Sequence, residues 1–475
     1  MKYQTIIGLE VHLQLKTKTK AFCGCPTEFG NSPNSQVCPV CLGLPGSLPV
    51  LNKTALDYAI RVGVALDCSI QEFTKFDRKH YYYPDLPKNF QISQYDLPIC
   101  KEGFLDIKIK DTVKRINIRR IHLEEDAGKL IHEDESSLVD YNRAGVALLE
   151  IVSDPDINSP IEAYNYLTKL KNIIAYLDVS DCDMEKGSLR CDANISLKKT
   201  KEKELGIKTE LKNLNSFKAV KEALEFEVKR QSALLENNEL VIQETRLWNE
   251  KEQKTYSMRA KEEARDYRYF PEPDLPPLSI TREKINAAKA ELPELPEQKA
   301  ARFIQEYKLT AYDAAIITSS RKDAEFSEDC LKLYNNIDKK NMANWLIGPL
   351  LSEANIRRCS IFELKLTPKN LVKLLELIDK EIISNLNAKL VLPVMIDTGI
   401  DADKIMAEKN LSQVSDTQSL ELYADEVIRE NPKSAADYKN GKINALMFMV
   451  GQVMKKSKGK ANPKVVQEIL KRRIS

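Results

Sequence analysis

The residues best equipped for chemistry in this sequence are carboxylates set inside or beside apolar runs. Glu150 interrupts Val146-Ala-Leu-Leu-Glu-Ile-Val152, a run that predicts a strand buried on both faces. A carboxylate buried there is costly unless something compensates its charge. Glu124, Glu125 and Asp126 stand in a row upstream. Near the N-terminus, Ile7, Leu9, Val11, Leu13 and Leu15 alternate with Glu10, His12 and Gln14. Alternation puts Glu10 and His12 on one polar strand face, roughly 7 Å apart, which also suits the solvent side of an ordinary strand. Residues 187–199 alternate too, with Arg190, Asp192, Asn194 and Ser196 opposed to Leu189, Cys191, Ala193 and Ile195. Residues 207–212 set Lys208, Glu210 and Lys212 against Ile207, Thr209 and Leu211.

If these strands share a sheet, Glu10, Glu150, Asp192 and Glu210 converge around His12. Carboxylates ~4 Å apart repel by about 4 kcal/mol at an effective dielectric near 20, so the cluster needs cations. Oxygen donors with one imidazole favour Mg²⁺ or Mn²⁺ over zinc. Such an ion beside Lys79, Lys88 and Arg190 is the equipment of phosphoryl transfer, which needs neutralised charge and positioning. The sequence carries no G-x-x-x-x-G-K-[ST] motif and no kinase signature set, so a nucleotide site would be of another kind. A basic tail completes the bottom-up reading of a metal-dependent phosphoryl-transfer enzyme that binds nucleic acid.

A second cluster is cysteine. Twelve residues separate Cys23-Gly-Cys25 from Cys38-Pro-Val-Cys41. Two close pairs with proline and glycine in the second knuckle suit tetrahedral Zn²⁺, against the alternative of four unrelated thiols. Four thiolates leave no open position, so that zinc is structural.

The elements that must position these groups follow from pattern. Residues 53–66, 159–177 and 216–236 predict helices, the second opened by Ser-Pro-Ile-Glu and the third by Asn213-Leu-Asn-Ser216. Residues 104–125 predict a hairpin whose apolar parity changes near Arg119-Arg120, the mark of a bulge. The pattern therefore leaves the direction of Glu125 open. KFDRKHYYYPDLPKNFQISQ (75–94) predicts a loop, in which Lys79, His80 and Lys88 suit phosphate and Tyr81–Tyr83 suit a base. A tyrosine-rich packing loop fits those residues equally well. The proline-dense 266–278 excludes a helix or inner strand, and ELPELPEQ (291–298) marks a boundary beyond which the pattern is helical. The last stretch, Gln452–Ser475, holds eight Lys/Arg against the single acid Glu468. Its GKANPK (459–464) suits a nucleic-acid phosphate backbone, although a basic tail is also an ordinary solvated helix face.

The totals bound the answer loosely. A chain of 475 residues has room for two to four domains. A net charge of +2 dictates no partner. No apolar run approaches the ~18 residues of a membrane span. The N-terminus shows no signal-peptide pattern. Ten cysteines, four at metal-like spacing, point to a reducing compartment, and the expected location is cytoplasmic.

IGLEVHLQL, FDRKHYYYPDLPKNFQISQ, HLEEDAGK, VDYNRAGVALLEIVSDPDI, MEKGSLRCDANIS, TELKNLNSF, ETRLW, DYRYFPEPDLPPL and VGQVMKKSKGKANP occur in that order. Together they resemble the B subunits of tRNA-dependent amidotransferases of the GatCAB kind, almost end to end. Ala147 stands where that family often has proline. The resemblance implies an α+β fold: a largely antiparallel cradle domain (1–292), an all-helical domain (293–404) and a YqeY-like helical tail (405–475). It implies that ATP phosphorylates the side-chain carboxyl of Glu or Asp on a mischarged tRNA, and that ammonia displaces the phosphate. It implies a heterotrimer with the glutaminase GatA and the small subunit GatC. By position, Glu10, His12, Glu125, Glu150, Asp192 and Glu210 would bind metal: His12, Glu125 and Glu150 one Mg²⁺, and Glu10, Asp192 and Glu210 a second. Lys79, Lys88, Ser188 and Arg190 would contact ATP, and Lys455, Lys456, Lys458, Lys460 and Lys464 the tRNA. Two other readings remain. One is the related archaeal-type GatE, for which 278–297 leaves no room for an inserted domain. The other is a non-catalytic tRNA-binding scaffold.

Overall fold

The alternation in the first strand organises the fold. In the computed structural model β1 runs Tyr3–Gln14 and buries Ile7, Leu9, Val11 and Leu13. The structure describes residues 3–474 apart from 111, 201, 259–266, 410–416, 458–460 and 462. Fifteen further strands follow: β2 (Ser69–Ile70), β3 (Phe73–Thr74), β4 (Asp77–His80), β5 (Phe90–Ser93), β6 (Cys100–Ile109), β7 (Thr112–Glu125), β8 (Lys129–His132), β9 (Ser137–Asp140), β10 (Ala147–Ser153), β11 (Leu189–Lys199), β12 (Thr209–Lys212), β13 (Glu244–Asn249), β14 (Lys254–Ser257), β15 (Arg268–Pro271) and β16 (Leu278–Ser279). Nine form one sheet in the order β14-β13-β12-β11-β1-β10-β7-β6-β2. Its pairs are antiparallel except β12 with β13.

The apolar face of this sheet is covered by helices. Among them, α1 (Pro39–Leu42) belongs to the cysteine knuckle, and α2 (Lys53–Ala65), α3 (Pro160–Leu177) and α4 (Phe217–Glu236) supply the cover. Asn52, Ser159 and Ser216 cap α2, α3 and α4 by accepting from first-turn N–H groups, the positions where unpaired donors need them. Tyr166, Leu170 and Ile174 of α3 and Val220, Ala223 and Leu224 of α4 join Ile7, Leu9 and Ile195 in one core. Gly63 lets α2 approach the sheet: a Cβ there would strike Cys100 Sγ.

The loop expected over 75–94 is partly regular. β4 and β5 pair across a proline-bearing excursion, and β15 adds to β4 as an edge strand, the place where Pro271 needs no ladder partner. Strand β7 carries the expected bulge, in its ladder with β10. Val152 pairs with Arg120 but Ser153 pairs with Ile118, so Arg119 is the extra residue. Arg119 is held on the surface by Asp154 at 2.8 Å.

Contacts divide the chain into units of residues Met1–Leu295 and Pro296–Ser475. The first ends with α5 (Arg282–Ala290), which occupies the stretch where an inserted domain would fall. The second unit is helical throughout its described residues and holds two apolar cores. One gathers residues from Phe303 to Met406 and the other residues from Leu420 to Ile474.

Candidate functional site: an acidic sheet face and a cysteine knuckle

Register assembles the site. His12 pairs with Glu150 across β1–β10, and Glu150 with His122 across β10–β7. On the other flank His12 pairs with Arg190, Glu10 with Asp192, and Asn194 with Glu210. Paired residues share a face, so five adjacent strands present one polar surface opposite the core. His12 Nε2 lies 3.4 Å from Glu150 Oε2, and His122 Nε2 lies 3.3 Å from that same oxygen and 3.5 Å from Glu124 Oε2. One donor atom each from His12, Glu124 and Glu150 falls within 4.8 Å of the others. The set is oxygen-rich with one imidazole, and it fits a hard divalent ion.

Glu125 does not join this set, contrary to expectation. Adjacent strand residues face opposite ways, and Arg119 fixes the phase so that Glu124 follows His122 while Glu125 follows Leu123. Glu125 is instead paired with Lys88 and accepts from the Ile92 N–H at 2.9 Å. Glu124 and His122 are the residues that sequence reasoning missed. The alternation Arg120, His122, Glu124 groups them only once the bulge is placed by the ladder with β10.

The rest of the acidic face is partly neutralised from within. Lys212 Nζ is 3.2 Å from Asp192 and 3.3 Å from Glu210. Thr245 donates to Glu210 at 2.7 Å, and Asn194 donates to Glu10 at 3.0 Å. Burial raises the Glu10 pKa, and Glu150, Asp192 and Glu210 push it the same way. Burial opposes the charged form of His122, yet Glu150 and Glu124 outweigh it and the pKa is pushed up to about 9. Burial likewise opposes His12, whose pKa is nevertheless raised by Glu150. Burial acts to raise the Glu150 pKa, but His122 and His12 hold it well below the usual carboxylate range. Both histidines are thus pushed toward the charged form that balances the carboxylates, and a divalent ion would compete with those protons for the same oxygens.

The four expected phosphate contacts separate. Lys79 is an electrostatic neighbour of Glu124 and Glu150, with its ammonium 4.7 Å over the Tyr267 ring. Arg190 is tied to Asp126 at 2.9 Å, and Gln14 donates to that carboxylate at 2.7 Å. Lys88 lies with Glu125, away from the metal-type cluster. Its pocket is also lined by Cys23, Arg78, Phe90 and Glu272. Ser188 is committed to its own turn, accepting from Asp183 N–H at 2.8 Å and donating to Asp183 O at 3.1 Å. It therefore does not reach outward as a phosphate ligand.

Cys23, Cys25, Cys38 and Cys41 bring their Sγ atoms within 4.8 Å of one another, and all ten cysteines are free. The Cys38 N–H donates to Cys41 Sγ at 3.2 Å, and the buried Lys20 ammonium lies 3.6 Å from that sulfur. Hydrogen bonding from Cys23, with help from Lys20, lowers the Cys41 pKa to about 4. The cluster could hold a metal ion such as zinc.

The tail lysines are scattered in state. Lys455 lies in the last turn of the helix Ile443–Lys456, and Lys456 is bound to Glu426 and Glu430 at 2.8 and 2.6 Å. Lys464 is 4.0 Å from Glu381. Lys458 and Lys460 lie outside the described residues. No described helix is long and apolar enough to cross a membrane.

A mostly antiparallel sheet domain followed by helical cores is the layout of a chain that matches two family models. Residues 5–286 match the GatB/GatE catalytic domain, and residues 325–474 match the GatB domain. The chain is 55% identical to the B subunit of the aspartyl/glutamyl-tRNA(Asn/Gln) amidotransferase of Carboxydothermus hydrogenoformans, over all of this chain and 99% of that one. It is 55% identical to the protein of the same name from Thermoanaerobacter sp. (strain X514), over the whole of both chains. It is 50% identical to that of Persephonella marina, over 99% of both. The chain belongs to the GatB family, the B subunits of these amidotransferases.

Proposed function

We propose that this protein is the ATP-dependent activating subunit of a cytoplasmic tRNA amidotransferase, working with GatA and GatC subunits. The observation that carries this reading is the convergence of His12, Glu124 and Glu150 on one sheet face. His12, Glu124 and Glu150 would hold one Mg²⁺, and Glu10, Asp192 and Glu210 a second. Bound there, Mg²⁺ would supply neutralisation of the phosphate charge as it develops. Oxide is too poor a leaving group for ammonia to displace from a carboxylate. In the proposed reaction a side-chain carboxylate oxygen of Glu or Asp on a mischarged tRNA therefore attacks the γ-phosphorus of ATP and ADP leaves. Ammonia from the glutaminase subunit then attacks the acyl carbon, and phosphate departs as the nitrogen loses a proton.

The residues of this chain orient and balance charge. Arg190, held by Asp126, and Lys79 face anionic substrate, while Lys212 and Thr245 keep Asp192 and Glu210 in place. Cys23, Cys25, Cys38 and Cys41 would hold a structural zinc, and the tail carries the tRNA by its backbone. The test is Glu150→Gln in the reconstituted complex. Transamidation is expected to fall by at least roughly a hundredfold, while tRNA binding and glutamine hydrolysis continue. Undiminished transamidation would favour the scaffold reading.

A further inference from the structure

The bulge at Arg119 does more than set the phase of Glu124. Before it, the core-facing residues of β7 are Ile116 and Ile118; after it, they are Ile121 and Leu123. The extra residue therefore turns Arg120 out of the core and onto the face of His122 and Glu124. Arg120 stands opposite Val152, which stands opposite Glu10, one row along from His122, Glu150 and His12.

Other cations on this face have carboxylate partners: Arg190 has Asp126, and Lys212 has Asp192 and Glu210. Among the described residues Arg120 has no ion pair, and its buried Nε meets no acceptor. A buried guanidinium N–H left without an acceptor is costly, and a bound anion that completes it removes that cost. Lys79 also lacks a carboxylate at ion-pair distance among the described residues. Both cations are electrostatic neighbours of the Tyr269 phenol, whose other charged neighbours are Glu124 and Glu150. Two uncommitted cations thus lie beside carboxylates suited to a divalent ion, an arrangement for an anion that also binds the metal. A guanidinium offers phosphate a planar fork of donors.

We infer that Arg120 is a phosphate-binding residue of this site, presenting its guanidinium, alongside Lys79, to the terminal phosphates of a nucleoside triphosphate. The assignment rests on the phosphoryl-transfer reading above. It is tested in the assembled three-subunit complex by titrating a fluorescent ATP analogue with Mg²⁺ and, separately, mischarged tRNA. Arg120→Ala is expected to weaken nucleotide binding roughly 10- to 100-fold and leave tRNA binding unchanged. Arg120→Lys is expected to recover part of the loss, because it keeps the charge without the fork. Arg115→Ala, which removes an exposed partner of Asp106, is the control with unchanged affinity. If Arg120→Ala binds nucleotide like wild type while Glu150→Gln does not, the inference is overturned and the broader reading stands. A loss confined to tRNA, or an equal loss in both Arg120 variants with a collapsed melting transition, also overturns it. A wild-type complex that binds no nucleotide overturns both.

Discussion

Two adjacent glutamates on β7 should respond to mutation in opposite ways. Glu124→Gln keeps the shape of the side chain and its ability to accept from Ser93 Oγ, now at 3.0 Å. It removes one charge from the metal-type cluster. A unit charge pair at ~4 Å is worth about 4 kcal/mol at an effective dielectric near 20, and solvent access to the face reduces this. A loss of roughly 3 kcal/mol in divalent-ion binding, about 100-fold, is therefore expected. Folding stability should change little, because the lost attraction to His122 is offset by relief of repulsion from Glu150. Glu125→Ala strips the partner from Lys88, whose side chain is only 10% exposed. Removing one member of a buried pair typically costs about 3–5 kcal/mol, here in the first unit alone. The assay is paired: Mg²⁺-dependence of transamidation by the complex, and urea unfolding followed by Trp248 fluorescence in a Trp345→Phe background. Should Glu125→Ala raise the Mg²⁺ requirement while leaving unfolding unchanged, the assignment of faces along β7 is refuted.

Cys38→Ser should reduce bound zinc from one ion per chain to a fraction of that, measured by elemental analysis, and should lower the melting temperature of the first unit. Retention of full zinc would remove Cys38 from the ligand set. Removal of the tail should weaken binding of mischarged tRNA by at least about tenfold and leave glutamine hydrolysis by the partner intact, as read by filter binding and ammonia release. That truncation belongs after Lys409, since Ile405 and Met406 of the helix Ala402–Lys409 are buried in the preceding core. Unchanged tRNA affinity would reassign the tail.

Much of this protein was determined locally. The alternations in β1 and β11 fixed that Glu10 shares a face with His12 and Arg190 with Asp192, because strand period is a property of the backbone. The spacing of Cys23, Cys25, Cys38 and Cys41 sufficed to bring four thiols together, because short loops can close only a few ways. Ser159 and Ser216 marked helix starts for the same local reason. The stretch 75–94 misled because its prolines and tyrosines hide two short strands that exist only by pairing with each other and with β15. Ser188 looked available until its turn claimed its one hydroxyl hydrogen.

The choice between Glu124 and Glu125 lay beyond the sequence. One extra residue at Arg119 inverts every face downstream of it, and only the ladder with β10 reveals where that residue sits. Convergence itself was also tertiary. His12, Glu124 and Glu150 come from three strands far apart in the chain, and pairing across the sheet placed their charges close enough to share a cation. Periodicity assigns a side to each side chain; neighbours across a sheet are assigned by long-range hydrogen bonding and core burial.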